Sequence, residues 1–589
     1  MLYLQGATRC STSLPFNRSL YRSISVVYLL CSICVLSLAA GDSSPRLTGQ
    51  FLHITDIHYD NQYHDGAAIS TSCHRRQSGT ENPTFAGPKR LLDDDDSTVG
   101  GYYGAPHSIC DSPYTLVNAT FDWFDKNLVG SIDFIVWTGD NARHDSDNTH
   151  PRTQEQIYKM NKAITQKFLS TFPTDFAGER LPIVPAIGNN DIYPHNIIQP
   201  GPNSILKHYA EIWSDFIPES ELHTFRRGGY YASEVVPNKI SVLSLNTLYF
   251  YIHNTAVDGC KKRDEAGTEH MEWLETELGT LRKRKMVAYL AGHVPPDRKS
   301  YTPTCYARYT RLSLEYADVI VGHLYGHANI DHFFLLSDRK AKPSLWAEED
   351  EAQDGEDAAL SVVDEEDYDR FHALGLTSYL EDLWKQYEDI PKKLKLSSYA
   401  VVLVSASVVP TYQPTFRVFT YQLARSSVVG SCTAAAALNQ RTGLLIDAVD
   451  DDEDGEMGQQ ELEEYFAALL NGDIDLETSF ESKKRHKGKH NHRHRHGKPR
   501  PHPPSVPSGA FGFPLEYTQY WANLTRANME PTRPCEYEVE YRTREDYGLD
   551  DLGVASWLDL AKRIVRDNQL KMDYLQRMVV QTGTDKLLG

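Results

Sequence analysis

Short apolar runs recur between residues 48 and about 340, and each stops at a polar pair. Phe51-Leu52-His53-Ile54 leads into Thr55-Asp56-Ile57-His58, and Phe134-Ile135-Val136-Trp137 into Thr138-Gly139-Asp140. Residues 181–187 lead into Gly188-Asn189, 240–245 into Asn246-Thr247, 286–291 into Gly292-His293 and 318–321 into Gly322-His323. Runs this short, rich in β-branched and aromatic residues, predict strands. The stretches 154–172 and 204–216 carry helical spacing between them. Alternating strands and helices predict a layered α/β domain. Polar residues just past strand ends are where such sheets build their sites. Period two in a strand sends Asp56 and His58 to one face.

Beyond this core the pattern breaks and resumes. Residues 73–104 are rich in Gly, Pro and charge and predict a long surface loop. Residues 346–370 form an acidic insertion, and β-rich sequence returns near 399–404 and 416–421, within a 371–435 segment that completes the 48–345 catalytic domain. The 447–510 stretch is acidic and then Lys/His-rich, a composition that does not pack. Residues 511–589 regain aromatics and helical periodicity, and are expected to dock back on the catalytic domain.

The formal charge of -20 argues against general nucleic-acid binding. Residues 24–40 are apolar and follow Arg9, Arg18 and Arg22. A cleaved signal peptide and an uncleaved signal anchor both fit; the long basic lead favours the anchor, with 1–23 cytoplasmic and the rest lumenal. Six cysteines lie beyond it, Cys73, Cys110, Cys260, Cys305, Cys432 and Cys535. An even set suits an oxidising compartment. The sequence does not fix their pairing; proximity and loop context favour Cys73–Cys110, Cys260–Cys305 and Cys432–Cys535. Asn118 and Asn523 stand in glycosylation acceptors. Asp450, Asp452, Asp454 and Glu461 match a calcium-loop spacing, against the plainer reading of a solvated acidic loop. The oligomeric state stays open, a homo-oligomer included.

Asp56, His58, Asp140, Asn189, His293 and His327 together offer carboxylate, imidazole and amide oxygen. That set suits two divalent ions, among manganese, magnesium, cobalt, zinc and iron. Two ions about 3.5–4 Å apart clamp both oxygens of an in-line displacement at phosphorus. Arg75 and Arg76 read either as solvated surface or as a clamp for an anionic substrate.

The order Asp-x-His, Gly-Asn preceded by Gly-Asp, Gly-His and again Gly-His resembles the calcineurin-like metallophosphoesterases. Trp137-Thr138-Gly139-Asp140 with His144, and Tyr325-Gly326-His327-Ala328-Asn329, resemble the acid-sphingomyelinase branch. Gly188-Asn189-Asn190-Asp191 and Gly322-His323-Leu324-Tyr325-Gly326-His327, with the apolar lead and the insertions, are similar to the fungal vacuolar endopolyphosphatases. The resemblance implies a four-layer αββα sandwich and internal cutting of inorganic polyphosphate at a vacuolar membrane. Asp56 and His58 would hold one ion, Asp140 would bridge, and Asn189, His293 and His327 would hold the second. His144 would donate the proton. Asn190 stands where the family has a proton-donating histidine, so His144 or His195 would compensate; Asn190 and His195 are expected against substrate. Asn329 stands where the family has a further ligand histidine, and either its amide oxygen or His323 would serve. A sphingomyelinase-like phosphodiesterase and a catalytically silent scaffold are the competing readings.

Overall fold

The computed structural model describes residues 47–76, 99–174, 178–337, 365–423 and 502–582. The 24–40 span, Cys432 and the 450–461 acidic loop lie outside them. No described helix is long and apolar enough to cross a membrane.

Among the described residues, twelve strands form two six-stranded mixed sheets. In the first, β1 (Thr48–Ile54), β2 (Phe134–Trp137) and β3 (Ile183–Pro185) run parallel. β10 (Thr415–Gln422), β11 (Pro514–Trp521) and β12 (Glu538–Arg542) extend it antiparallel beyond β1. In the second, β5 (Ile240–Ser244), β6 (Val287–Ala291), β7 (Ile320–Tyr325) and β9 (Tyr399–Val404) run parallel. β4 (Tyr231–Val236) and β8 (His332–Ser337) flank them antiparallel. The parallel strands are buried along their length, so they read as apolar runs rather than alternating ones.

The sheets meet through aromatic side chains. Phe51 stacks on Phe134 at 4.6 Å and on Phe419 at 4.7 Å, and meets Tyr289 of the second sheet edge-on at 5.0 Å. Helices cover the outer faces. α1 (Tyr114–Asn127) and α2 (Gln154–Thr171) lie on the first sheet, with Phe121 against Phe168 and Trp123 against Phe416. α2 starts at a capping box in which Thr153 and Gln156 exchange side-chain and backbone bonds. α3 (Ser204–Ile212) follows β3, and α4 (Ala266–Lys283) and α5 (Pro303–Glu315) lie on the second sheet.

Two features depart from the sequence reading. The stretch ascribed to insertion and returning strands holds α6 (Glu365–Glu388). The C-terminal region supplies β11 and β12 before its helices α7 (Val554–Ile564) and α8 (Asn568–Met578). Their apolar residues are interleaved with Glu, Gln and Thr, which hid the strands. The Cys73–Cys110 and Cys260–Cys305 disulfides form as expected, with Cα separations of 5.6 and 4.9 Å. Cys535 is buried and free among the described residues. Asn118 lies half-buried inside α1, and Asn523 caps the short helix after β11.

Burial pushes the imidazoles of His270 and His323 down to about 3. The folded form stays neutral while the unfolded chain takes up protons near pH 6.5. Stability should therefore hold above about pH 6.5 and fall below it, by up to about 1.4 kcal/mol per pH unit for each histidine. Denaturant unfolding at about pH 7.5 and about pH 5 checks this. His270→Phe, which keeps the ring stacked between Tyr230 (4.0 Å) and Phe250 (4.7 Å), should lessen the drop.

Candidate metal centre

The C-terminal ends of β1, β2, β3, β6 and β7 converge on one point. His293 Nε2 lies 3.2 Å from Asp140 Oδ2 and 2.8 Å from Asn189 Oδ1. His327 Nδ1 lies 2.9 Å from the same Asn189 oxygen and 3.2 Å from His293 Nε2. On the other side of Asp140, His58 Nε2 is 3.4 Å from Asp140 Oδ2 and 3.6 Å from Asp56 Oδ1. Six of the seven residues predicted to be ligands, all but Asn329, are thus brought together by these contacts.

The donor roles decide what this cluster suits. His58 Nδ1 donates to the Ala142 carbonyl at 3.0 Å, and His293 Nδ1 to the Thr138 carbonyl at 2.8 Å. Both rings therefore turn a lone pair on Nε2 toward carboxylate and amide oxygens. Acceptors face acceptors, an arrangement stabilised by positive charge between them. Asp56 Oδ1, His58 Nε2 and Asn329 Oδ1 are buried without a hydrogen-bond partner. Burial alone would lower the His58 and His293 imidazoles, but the Asp56 and Asp140 carboxylates outweigh it and raise both to about 9, so the positive charge called for between these acceptors is either a proton on Nε2 or a metal ion in its place. The centre thus attracts cations, and the residues present fit divalent metal.

The backbone is shaped to this end. Asp56, His58, Asp140, His327 and Asn329 all hold left-handed φ, between 42° and 72°. Such strain in non-glycine residues gathers at functional sites. A Cβ on Gly188 would strike the Asp140 side chain, and one on Gly326 would strike Thr55 and Asp56. This explains the glycine before Asn189 and before His327.

A second ring of residues holds the first. Asp191 accepts from the backbone nitrogens of Asp140, Asn141, Ala142 and Gly188, and from the Asn141 and Asn161 amides, at 2.8–3.2 Å. Every partner is an N–H donor, so the ionised carboxylate satisfies them. Thr55 Oγ1 donates to Asp56 Oδ2 at 2.5 Å, and the His327 backbone nitrogen donates to the same oxygen at 2.9 Å. The Asn189 amide nitrogen donates to His195 Nε2 and Asn196 Oδ1, both at 2.9 Å, which turns its oxygen to the centre. Tyr251 O–H lies 3.4 Å from His327 Nε2.

Several expected site residues sit elsewhere than anticipated. Asn190 is buried with its backbone and side-chain nitrogens on the two Asp140 oxygens at 2.8 Å, so it steadies that carboxylate. His195 braces Asn189. Arg75 is held by Asp147 through both guanidinium nitrogens, at 2.5 and 3.1 Å, and is not a free clamp, whereas Arg76 is exposed. His323 is buried on Tyr309 O–H at 2.8 Å and does not join the centre. His144 is one-third exposed and stacks on His58 at 3.9 Å.

Sequence reasoning missed Asp111. Its two oxygens take the His144 Nδ1–H and backbone N–H, each at 2.7 Å. Burial would raise this carboxyl, but the His144 imidazole outweighs burial and holds it below the usual range. Asp111 follows Cys110, and that adjacency was the available signal. Tyr251 carried none. His74, after Cys73, bridges Asp60 (2.8 Å) and Asp147 (2.7 Å).

A calcineurin-like phosphoesterase profile matches residues 49–328, which gives the class that this fold and centre define. The chain is 34% identical to an endopolyphosphatase of Neurospora crassa, covering 89% of this chain and 78% of that one. It is 32% identical to one of Candida glabrata over 94% and 89% of the two chains. It therefore belongs to the endopolyphosphatase family. Against the Cryptococcus neoformans relative it is 40% identical over 64% of this chain, and spans 58% of that protein's length.

Asp191→Asn would turn an N–H group toward N–H donors. It should cost about 3 kcal/mol or more in denaturant unfolding, with far-ultraviolet circular dichroism unchanged.

Proposed function

We propose that this chain hydrolyses phosphoanhydride bonds of inorganic polyphosphate, cutting long chains internally. The observation that carries the reading is the cluster of unpaired acceptors around Asp140 in a chain of endopolyphosphatase kinship. Asp56 and His58 would hold one divalent ion, Asp140 both, and Asn189, His293 and His327 the second. The buried oxygen of Asn329 supports its joining the first set. Divalent ions there supply Lewis acidity, acidifying water and neutralising phosphate charge. The nitrogen and oxygen donors accommodate manganese, magnesium, cobalt, zinc or iron.

The chain's own residues supply orientation and protons. Asn190 and Asp191 fix the Asp140 carboxylate and its loop. His195 and Asn196 keep the Asn189 oxygen inward. His144, partly exposed and backed by Asp111, is positioned to give a proton to the leaving oxygen. A phosphate leaves readily, so an amide at Asn190 is tolerable for this substrate.

For location, we infer that residues 24–40 anchor the chain in a vacuolar membrane with the catalytic domain lumenal. The two disulfides support passage through an oxidising compartment.

Incubating the protein with manganese, cobalt, zinc or magnesium on long-chain polyphosphate should yield mid-length fragments on gels. Phosphorylcholine released from sphingomyelin instead would overturn the substrate assignment. Asp140→Asn should reduce cleavage to background; retained cleavage would sink the bridging role. His195→Ala frees the Asn189 amide to rotate and should weaken metal affinity about 10–100-fold by calorimetric titration.

A further inference from the structure

Strand polarity gives the molecule two poles. The metal centre lies at the C-terminal ends of β1, β2, β3, β6 and β7, so the strand beginnings mark the opposite end. Leu47 precedes β1, Lys239 precedes β5, Lys285 precedes β6, and Lys392, Lys393 and Lys395 precede β9. These positions form one surface. The Leu423 nitrogen donates to the Leu47 carbonyl at 2.9 Å, the Gly512 nitrogen to Gln422 at 2.7 Å, and the Val287 nitrogen to Lys239 at 3.0 Å. Lys239 lies over the Phe511 ring at 5.7 Å. Leu396 and Tyr399 share a groove with Val506 and Phe513.

The surface combines cationic and apolar groups. All five lysines are exposed, and among the described residues none forms an ion pair. The acids of this end are Glu234 and Asp318, paired with Arg284 and Arg282, Asp133, bound by Gln50 and Tyr421, Asp551, which lines the groove and accepts from the Gly553 nitrogen and Ser556 hydroxyl, and the exposed Glu388 and Asp389. Leu47 and Leu396 are exposed by 52% and 42%, and Leu394 lies exposed between two of the lysines. In a chain with a formal charge of -20, an unpaired basic end carrying exposed leucines is a local exception. It is also where residues 1–46 join the described domain.

We propose that this end rests on an anionic lipid bilayer. The lysines meet headgroup charge and Leu394 and Leu396 enter the interfacial layer. The metal centre then faces away from the membrane, open to a long polymer. The reading that residues upstream of Leu47 anchor the chain supports the proposal by bringing this end to a membrane, but the lysines and leucines would meet anionic lipid without it.

The test is lysine acylation read by mass spectrometry on the full-length protein. It would be reconstituted in phosphatidylcholine vesicles, with or without phosphatidylserine. In the serine-containing vesicles Lys239, Lys285, Lys392, Lys393 and Lys395 should be acylated at least about fivefold more slowly. Lys207, on α3 beyond the Asn189 loop, should be unaffected. K392E/K393E/K395E should restore labelling of Lys239 and Lys285, and leave cleavage of short polyphosphate unchanged. Equal labelling in both vesicle types, with the protein floating with each, overturns the proposal and leaves the anchor standing. Flotation only with anionic vesicles keeps the proposal and removes the anchor. Failure to float with either removes both. Protection of the same lysines by long polyphosphate in lipid-free detergent assigns the surface to substrate and overturns the proposal.

Discussion

The Asp191 carboxylate is the constraint on which the centre depends. It gathers the nitrogens of Asp140, Asn141, Ala142 and Gly188 around two oxygens, and so ties the loop after β2 to the loop after β3. Those loops deliver Asp140 and Asn189. Bringing two carboxylates this close in a buried setting costs free energy, offset by the surrounding N–H donors and by cationic charge at the centre. Asn190 adds two donors to the Asp140 oxygens. The asparagine at the position where a histidine was expected therefore has a physical meaning: it supports the Asp140 carboxylate.

Much of this was legible in the sequence because parallel strands buried on both faces write themselves as apolar runs, and ligands fall where those runs stop. The six ligand candidates were readable for that reason. The strands β11 and β12 were not, because Glu516 and Gln519 in the one and Glu540 in the other interrupt their apolar residues. Asp111 showed only its adjacency to Cys110 and Tyr251 showed nothing, because both act through contacts distant in sequence. Arg75 was misjudged because an exposed-looking charge in a loop can be held by a buried acid, here Asp147, that only the fold brings near.

The C-terminal region is more than a cap. Asp331, two residues past Asn329, is bonded by Arg417 of β10 and Tyr541 of β12, and its nitrogen donates to the Met578 carbonyl at 2.9 Å. Arg417 in turn donates to Gln519 of β11 at 2.7 Å. The loop carrying His327 and Asn329 is thus fixed by strands added outside the 49–328 module. A buried ion pair of this kind, even with Arg417 Nη1 left without a hydrogen-bond partner, sets one geometry for the loop, whatever its net contribution to stability.

The Cys73–Cys110 bond has a further consequence for how this protein can vary. Each cysteine is followed by a residue that grips the 143–150 loop, His74 on Asp147 and Asp111 on His144. Both ends of the intervening segment are therefore pinned independently of its contents. Lengthening a closed loop costs only about 0.6 kcal/mol per doubling. The ring closed by Cys73 and Cys110 is in that sense a tether whose length is cheap to change, while His74 and Asp111 keep the neighbouring chemistry in alignment.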